Sequence, residues 1–252
     1  MSRVLRVLIA GESWETLSIH QKGFDIFTTT FYYEGVGPLR AAIEGAGHAV
    51  EYMPSHIAAT KFPIDLASLQ AFDVVILSDI GTNTLLLHPD TFERSRPMPN
   101  RLTLLREYVA AGGGLIMVGG YMTFQGIDAK ARYAGTAVEA ALPVTLLPGD
   151  DRVEVPEGAT PRVRTAQHPI VAGLDGEWPK LLGYNRLLAR PEATVAALVA
   201  DDPLLVAWSF GNGRSIAFAS DCGPHWAPPE FLAWSGYAQL WSQIVAWAGG
   251  AL

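Results

Sequence analysis

Apolar runs alternate with amphipathic segments along most of the chain. Short aliphatic runs predict buried strands at residues 4–9, 49–53, 73–79, 115–118 and 215–219. Apolar residues at helical spacing predict helices at residues 37–44, 101–111 and 231–248. This order of elements is typical of an α/β protein with a mostly parallel sheet and helices on both faces.

A different pattern begins near residue 150. Polar and apolar residues alternate at 151–155 and 162–164, which predicts antiparallel edge strands with one wet face. Further short strands are predicted at 195–199 and 204–208, and Gly211-Asn212-Gly213 predicts a tight hairpin turn. Since no linker, repeat or low-complexity tract is found, we predict a single domain over residues 1–252, with an antiparallel extension at about 150–190.

The segment between the first strand and the first helix is long. Residues 14–34 contain several aromatic side chains and lead to no clear helix before residue 37. A loop of that length in a compact domain is more often a binding element than a spacer. We therefore predict that Trp14, His20 and Lys22 contact a ligand; the alternative is a partly helical surface excursion whose aromatic side chains pack on the sheet.

The composition fits a packed globular protein, because 49% of the 252 residues are hydrophobic and only 17% are charged. A net charge of −7 without a basic block disfavours nucleic-acid binding. No segment has the ~20 apolar residues of a membrane helix, and Arg6 interrupts the apolar run that would otherwise resemble a signal peptide. The single cysteine excludes an internal disulfide and a Cys-based zinc site. We therefore predict a cytoplasmic protein with neither a nucleic-acid nor a membrane partner.

The densest cluster of reactive side chains follows the strand at residues 215–219. A Gly-Pro pair ends that strand, so Asp221, Cys222, His225 and Trp226 lie on a loop at its carboxyl end. A cysteine and a histidine this close in sequence could act as nucleophile and base. The alternative is an inert buried cysteine beside a histidine that hydrogen-bonds the backbone. Asp221 and His225 could then be the working residues without the thiol.

Two other strands are predicted to end beside this loop. Asp79 ends the strand at residues 73–79, and Gly119, Gly120 and Tyr121 follow the strand at 115–118. In open α/β sheets, ligands bind outside the carboxyl ends of the strands. Glycines there allow the backbone to approach a ligand closely. We therefore predict that these residues and the late loop meet in one cleft.

Several motifs spread over almost the whole chain form a recognisable set: Gly11-Glu12-Ser13-Trp14, residues 77–81, 84–89 and 113–120, Gly183-Tyr184-Asn185-Arg186, and residues 220–226. With these motifs the sequence resembles the class I glutamine amidotransferase-like superfamily, which has a flavodoxin-like three-layer fold. Within it the chain most resembles the putative glutamine amidotransferase family of bacterial cytoplasmic proteins. We include Asn185 and Trp226 of these motifs among the candidate ligand-binding residues.

The resemblance also implies a reaction. Members of the superfamily hydrolyse glutamine with a cysteine on a sharp turn after a strand, helped by a histidine and an acid after a late strand. The corresponding turn here is Val118-Gly119-Gly120-Tyr121, which has no cysteine. The resemblance makes His225 the counterpart of the histidine and Glu230 a candidate for the acid, with Cys222 as a relocated thiol.

The first functional hypothesis is an enzyme that hydrolyses or transfers a carbon–nitrogen or acyl bond of a small molecule. Cys222 would attack as a thiolate, His225 would take and return the proton, and the amides of Gly119 and Gly120 would hold the oxyanion. A variant without the thiol would hold a hydrolytic metal through ligands drawn from His56, His88, Asp79, Asp221 and His225. We assign no cofactor and no definite metal ligand.

The second hypothesis is a catalytically silent binding or assembly protein that retains the fold. It is motivated by the turn at residues 118–121, which lacks the cysteine, and by the last helix, which carries Trp234, Trp241 and Trp247. We predict that these tryptophans serve the core or a homo-oligomer interface.

Overall fold

The computed structural model describes residues 3–252 and builds them around one large sheet. In chain order the strands are β1 (Arg6–Gly11), β2 (Ser13–Lys22), β3 (Asp25–Glu34), β4 (Ala49–Met53), β5 (Val74–Ser78), β6 (Gly114–Val118), β7 (Val144–Thr145), β8 (Arg152–Ala159), β9 (Pro161–Val163), β10 (Leu181–Asn185), β11 (Leu188–Ala189), β12 (Thr194–Val199), β13 (Asp202–Phe210) and β14 (Gly213–Phe218). The large sheet has eight strands in the order β4-β1-β5-β6-β14-β13-β12-β9. The five strands from β4 to β14 are parallel to one another. Taken in chain order they have the 2-1-3-4-5 arrangement of flavodoxin-like sheets, which confirms the predicted fold class.

Helices cover both faces of the sheet. They are α1 (Gly37–Gly45), α2 (Ser55–Lys61), α3 (Leu66–Leu69), α4 (Thr82–Leu86), α5 (Pro89–Phe92), α6 (Arg101–Ala110), α7 (Ala137–Ala141), α8 (Pro229–Leu232) and α9 (Ser235–Ala248). Helix α1 packs against α9, whereas α6 packs against α3, α4 and α7. Among the helices of residues 3–252, none combines the length and the apolar character needed to cross a membrane.

The core lies along the parallel strands. Every residue of β5 and β6 is buried, as expected for strands covered on both faces. The strand register places Ile9, Ile76, Ile116 and Ile216 in one row across β1, β5, β6 and β14. This row fixes how the strands align, and therefore where each of them ends.

The antiparallel half reaches beyond the predicted extension at 150–190. Strands β12, β13 and β9 continue the large sheet, while β8 pairs with β10 in a separate ribbon. A two-residue turn at Gly211-Asn212 joins β13 to β14, with a φ of +59° at Gly211. This confirms the predicted hairpin.

Residues 13–34 form neither the predicted loop nor the alternative helical excursion. Strands β2 and β3 pair antiparallel along their whole length, from Ser13 opposite Glu34 to Lys22 opposite Asp25. We call residues 13–34 the arm. All ten residues of β3 are exposed, so its aromatic side chains do not pack on the large sheet.

The predicted last helix is broken in two. Helix α8 ends at Leu232, and Trp234 has extended backbone angles before α9 begins. Trp241 is fully buried, Trp234 lies 5.1 Å from the ring of Trp178, and Trp247 lies under the guanidinium of Arg214. The helix tryptophans thus contact their own chain, and a homo-oligomer through this helix stays a prediction.

A buried arginine joins two helices on one side of the sheet. The Arg101 side chain donates hydrogen bonds to the carbonyl oxygens of Ala58 and Ala59 in α2. It also donates to the carbonyl oxygens of Thr84 and Leu85 in α4. Because the guanidinium is almost fully buried, burial lowers its pKa to about 10.

Candidate functional site

Four parallel strands end side by side at one edge of the sheet. Gly11 of β1 aligns with Ser78 of β5, Ser78 with Val118 of β6, and Val118 with Phe218 of β14. The residues that follow the four strand ends therefore stand in a row at this edge: Glu12, Asp79, Gly119 and Ala219.

Three residues at this edge have a strained backbone. Glu12, Asp79 and His225 all have positive φ angles, of +49°, +45° and +100°. For residues other than glycine such angles cost about 1–3 kcal/mol each and cluster at functional sites. Local hydrogen bonds hold the first two in place: the Glu12 amide donates to the Ser78 carbonyl at 2.6 Å, and the Asp79 carboxylate accepts from the Met122 amide at 2.7 Å.

His225 stands at the mouth of the site between two aromatic rings. Its ring centroid lies 4.9 Å from that of Trp14 and 5.8 Å from that of Tyr121. Its Nδ1 lies 3.8 Å from Oδ2 of Asp221; the imidazole is 47% exposed and the Asp221 side chain is 4% exposed. That distance exceeds a hydrogen bond. The two groups form an ion pair when the imidazole is protonated and the Asp221 carboxyl is ionised. An accessible imidazole facing a buried carboxyl group is suited to general acid–base chemistry.

The acid beside His225 is Asp221 and not Glu230. Glu230 is an exposed residue in the first turn of α8. Within residues 3–252 its carboxylate forms neither a hydrogen bond nor an ion pair with His225. The Pro-rich stretch between the two residues carries Glu230 onto the surface helix.

Cys222 is buried below this mouth and faces other partners. Its Sγ lies 3.5 Å from Oγ of Ser78 and 3.7 Å from Oε2 of Glu12. Burial, and then the negative charges of Glu12 and Asp221, hold the pKa of the thiol well above its usual value. The structure therefore does not bring Cys222 and His225 together as a nucleophile and its base, and it disfavours the thiolate.

The amides of the diglycine turn are already occupied. The Gly119 amide donates to the Phe218 carbonyl at 2.8 Å, and the Gly120 amide donates to Oδ1 of Asn185 at 3.0 Å. The Asn185 Nδ2 donates in turn to the Gly120 carbonyl and to the buried carboxylate of Asp151. Neither amide is free to hold an oxyanion, so the predicted oxyanion site is not formed. Asn185 supports the turn from below and is fully buried.

Three carboxyl groups meet at the strand ends. Burial raises the pKa of Glu12, Asp79 and Asp221. The charges of Asp221 and Asp79 raise the pKa of Glu12 further, and the charge of Asp79 raises that of Asp221. Such a group of carboxyls favours a ligand that brings positive charge or hydrogen-bond donors. Sequence reasoning named Glu12 within the Gly11-Glu12-Ser13-Trp14 motif but did not select it as a site residue; its place directly after the first strand was a second signal for it.

The antiparallel part of the chain supports the outer wall of the site. Oε1 of Glu154 accepts a hydrogen bond from the Tyr121 hydroxyl, and Oε2 accepts one from the Trp226 indole, each at 2.9 Å. The guanidinium of Arg152 lies 4.9 Å above the Tyr121 ring. Tyr121 and Trp226, both predicted to contact a ligand, are thereby held in place by Glu154 and Arg152. Sequence reasoning placed Glu154 and Arg152 on an edge strand and did not connect them with the site.

Other predicted ligand residues lie elsewhere. His20 stacks on Phe27 with ring centroids 4.5 Å apart. Lys22 lies opposite Asp25 in the strand pairing, beside the turn of the arm. His20 follows Trp14 by six residues on an extended strand, which is about 20 Å at 3.3 Å per residue. Of the three arm residues predicted to contact a ligand, only Trp14, at the root of the arm, reaches the site.

The predicted metal ligands are not assembled. Nδ1 of His88 accepts the Asp90 amide at the start of α5, and His56 lies edge-on to the ring of Tyr32. The ligand atoms that do meet belong to Glu12, Asp221 and Cys222, which lie within 4.8 Å of one another. A metal there would require the thiol to lose the proton that it donates to Glu12.

Comparison with known proteins gives a consistent family. The family model described as "Putative glutamine amidotransferase" matches residues 6–249. Two Salmonella typhimurium structures, of the cytoplasmic proteins STM3548 and STM1381, are each 43% identical to this chain with a TM-score of 0.94. Each alignment covers 97% of this chain and 99% of the other.

More distant structures share the fold alone. A ThuA-like protein from Bacteroides uniformis is 12% identical with a TM-score of 0.52, over 97% of this chain and 92% of the other. Comparison with curated proteins finds no match. Because the family model covers nearly the whole chain, as the sequence motifs predicted, the protein belongs to the putative glutamine amidotransferase family.

Proposed function

We propose that this site binds a small molecule rich in hydrogen-bond donors and hydrolyses or transfers one of its carbon–nitrogen or acyl bonds without a covalent thiol step. The observation that carries the proposal is the half-exposed imidazole of His225, held between two aromatic rings with Nδ1 toward the buried carboxyl of Asp221. His225 takes a proton from the attacking water or acceptor and returns it to the leaving group. Asp221 stabilises the imidazolium that forms in between.

The surroundings of His225 support this class of ligand. The carboxyl groups of Asp79 and Asp221 accept hydrogen bonds from amino or amide groups, and the rings of Trp14 and Tyr121 suit a planar or cationic group. The family description supports a substrate with an amide nitrogen. The names of the two Salmonella proteins support a cytoplasmic location for this chain.

The test is ammonia release from a panel of primary amides, ureas and amidines that includes glutamine and asparagine. We expect His225→Gln to lower the rate on any substrate that is turned over by about 100-fold or more, as is typical when a general base is lost. His20→Gln, on the arm, and Cys222→Ser are expected to stay within a few-fold of the wild type. A His225→Gln variant as active as the wild type would refute the proposal, as would a Cys222→Ser variant that loses all activity.

A second candidate function is binding without catalysis. It is favoured by the absence of a cysteine from the turn at residues 118–121 and by the hydrogen bonds that occupy both diglycine amides. The same panel decides between the two candidates. If no compound is turned over, but amines or amides raise the melting temperature of the wild type and not of Asp79→Asn, the protein is a binding protein.

A further inference from the structure

The arm carries most of the exposed large apolar side chains of residues 3–252. Leu17, Ile19, Ile26 and Phe31 are each more than 60% exposed, and Phe24 at the turn is fully exposed. Residues directly opposite each other in the pairing share a face of the ribbon. One face therefore carries Trp14, His20, Phe27, Phe31 and Tyr33, and the other carries Leu17, Ile19, Ile26 and Tyr32. Each face mixes large apolar side chains with polar ones, and on both faces the large apolar side chains are exposed to water.

The arm has little support from its own chain. Ser13 at its root is buried and Trp14 is half-buried, whereas from residue 15 onward no arm side chain is buried. A lone two-stranded ribbon is marginally stable in water. Strand β3, which has one free edge, also runs from Ile26 to Tyr33 without a charge or a proline, the residues that normally protect an exposed edge.

We propose that the arm is an intersubunit element that packs on a second copy of this chain and makes a symmetric oligomer. Ten residues per strand at about 3.3 Å each give a ribbon about 33 Å long, and two strands make it about 10 Å wide. One face thus covers about 330 Å². When two copies exchange arms, one face of each arm is buried against an equal area of the other copy. The total buried area is then about 1,300 Å², which lies in the range of specific interfaces.

A second copy fits this surface better than an unrelated partner. A copy of the same chain is always present in equal amount, so it can cover the arm of every molecule. The free, uncharged edge of β3 is self-complementary, because two such edges pair antiparallel about a twofold axis. The proposal stands apart from the proposed reaction, although Trp14 at the root of the arm contacts His225.

The test is the molar mass in solution, measured by light scattering from 1 to 50 µM. The wild type is expected to be a dimer or a higher closed oligomer. The double variant Ile19→Glu with Phe31→Glu, which places a charge on each face of the arm, is expected to be a monomer. Phe92→Glu is the matched control, because Phe92 is 73% exposed outside the arm, and it should keep the wild-type mass. A monomeric wild type, or a double variant with the wild-type mass, would overturn the proposal.

Hydrogen exchange of the unmodified protein gives a second measurement that does not depend on a variant folding. At 50 µM we expect the amides of residues 26–33 to be protected, and dilution below the dissociation constant should remove that protection. Amides that exchange rapidly at every concentration would show that the arm is uncovered and would contradict the proposal.

Discussion

At the scale of single residues, the chemistry of the site depends on which groups are buried. The thiol of Cys222 lies beneath the strand ends against Glu12 and Ser78, whereas the imidazole of His225 reaches solvent. Burial beside carboxyl groups holds a thiol in its neutral form, which is a poor nucleophile. The two residues are three apart in sequence and nevertheless face different environments. This difference is why we place the proton transfer on His225 and Asp221.

Glu12 allows a test of the carboxyl cluster through stability. Burial holds its pKa in the folded chain above the unfolded value of about 4.3. The folded chain therefore keeps a proton that the unfolded chain releases, and stability falls as the pH rises between the two values. Glu12→Gln removes this loss and still accepts from Ser78 and Cys222. We expect a melting temperature about 2–4 °C above that of the wild type at pH 8, for a gain of about 1 kcal/mol, with little difference at pH 4.

Glu44→Gln is the control for this comparison. Glu44 is exposed and pairs with Arg40 on the surface, where an ion pair contributes little. Its melting temperature should follow that of the wild type at both pH values. If Glu12→Gln were less stable than the wild type at pH 8, the ionised carboxylate would be stabilising and our account of the cluster would be wrong.

At the scale of elements, one buried side chain, Arg101, bridges helices α2 and α4. Arg101→Met keeps the length of the stem and removes the donor from the carbonyl oxygens of Ala59, Thr84 and Leu85. A buried acceptor such as that of Leu85 costs about 1–3 kcal/mol without a donor, and the two partly buried oxygens cost less because water can reach them. We expect a loss of about 2–4 kcal/mol in the free energy of unfolding, measured by urea denaturation. Arg106→Met, on the exposed face of the same helix, should lie within about 0.5 kcal/mol of the wild type. Equal stability of the two variants would contradict this role for Arg101.

The sequence predicted the helices that have one apolar face and the strands that are continuous apolar runs. The strand at residues 49–53 and the helices α1 and α6 lie where periodicity indicated. The arm was missed because its apolar residues fall on both faces among polar ones, so its strands lack the alternation that marks a half-buried strand. The break before α9 was missed because apolar residues continue through Trp234, whose extended backbone no spacing rule reveals.

Part of the site could also be predicted from the sequence. Asp79, Asp221 and His225 follow strands, so the rule that ligands bind at strand ends selected them. The hydrogen bond that occupies the Gly120 amide comes from Asn185, 65 residues away, and the support of Tyr121 and Trp226 comes from Glu154. Contacts between distant segments follow from tertiary packing and not from local pattern.

At the scale of the whole molecule, the site lies where the parallel and antiparallel halves meet. The parallel strands supply Glu12, Asp79 and Asp221, and the antiparallel half supplies Asn185 and Glu154, which brace the turn and the aromatic wall. The arm adds Trp14 from a third direction. A change in any of the three parts therefore alters the surroundings of His225.

The reactivity of the single thiol tests this account most directly, and it requires no substrate. Cys222 in the native protein should react with an aromatic disulfide reagent at pH 8 about 100-fold more slowly than in the urea-unfolded chain, because the thiol is buried and its pKa is raised. A native thiol that reacts as fast as the unfolded one, or faster, would show an accessible thiolate. It would return the nucleophile to Cys222 and contradict the assignment of the chemistry to His225 and Asp221.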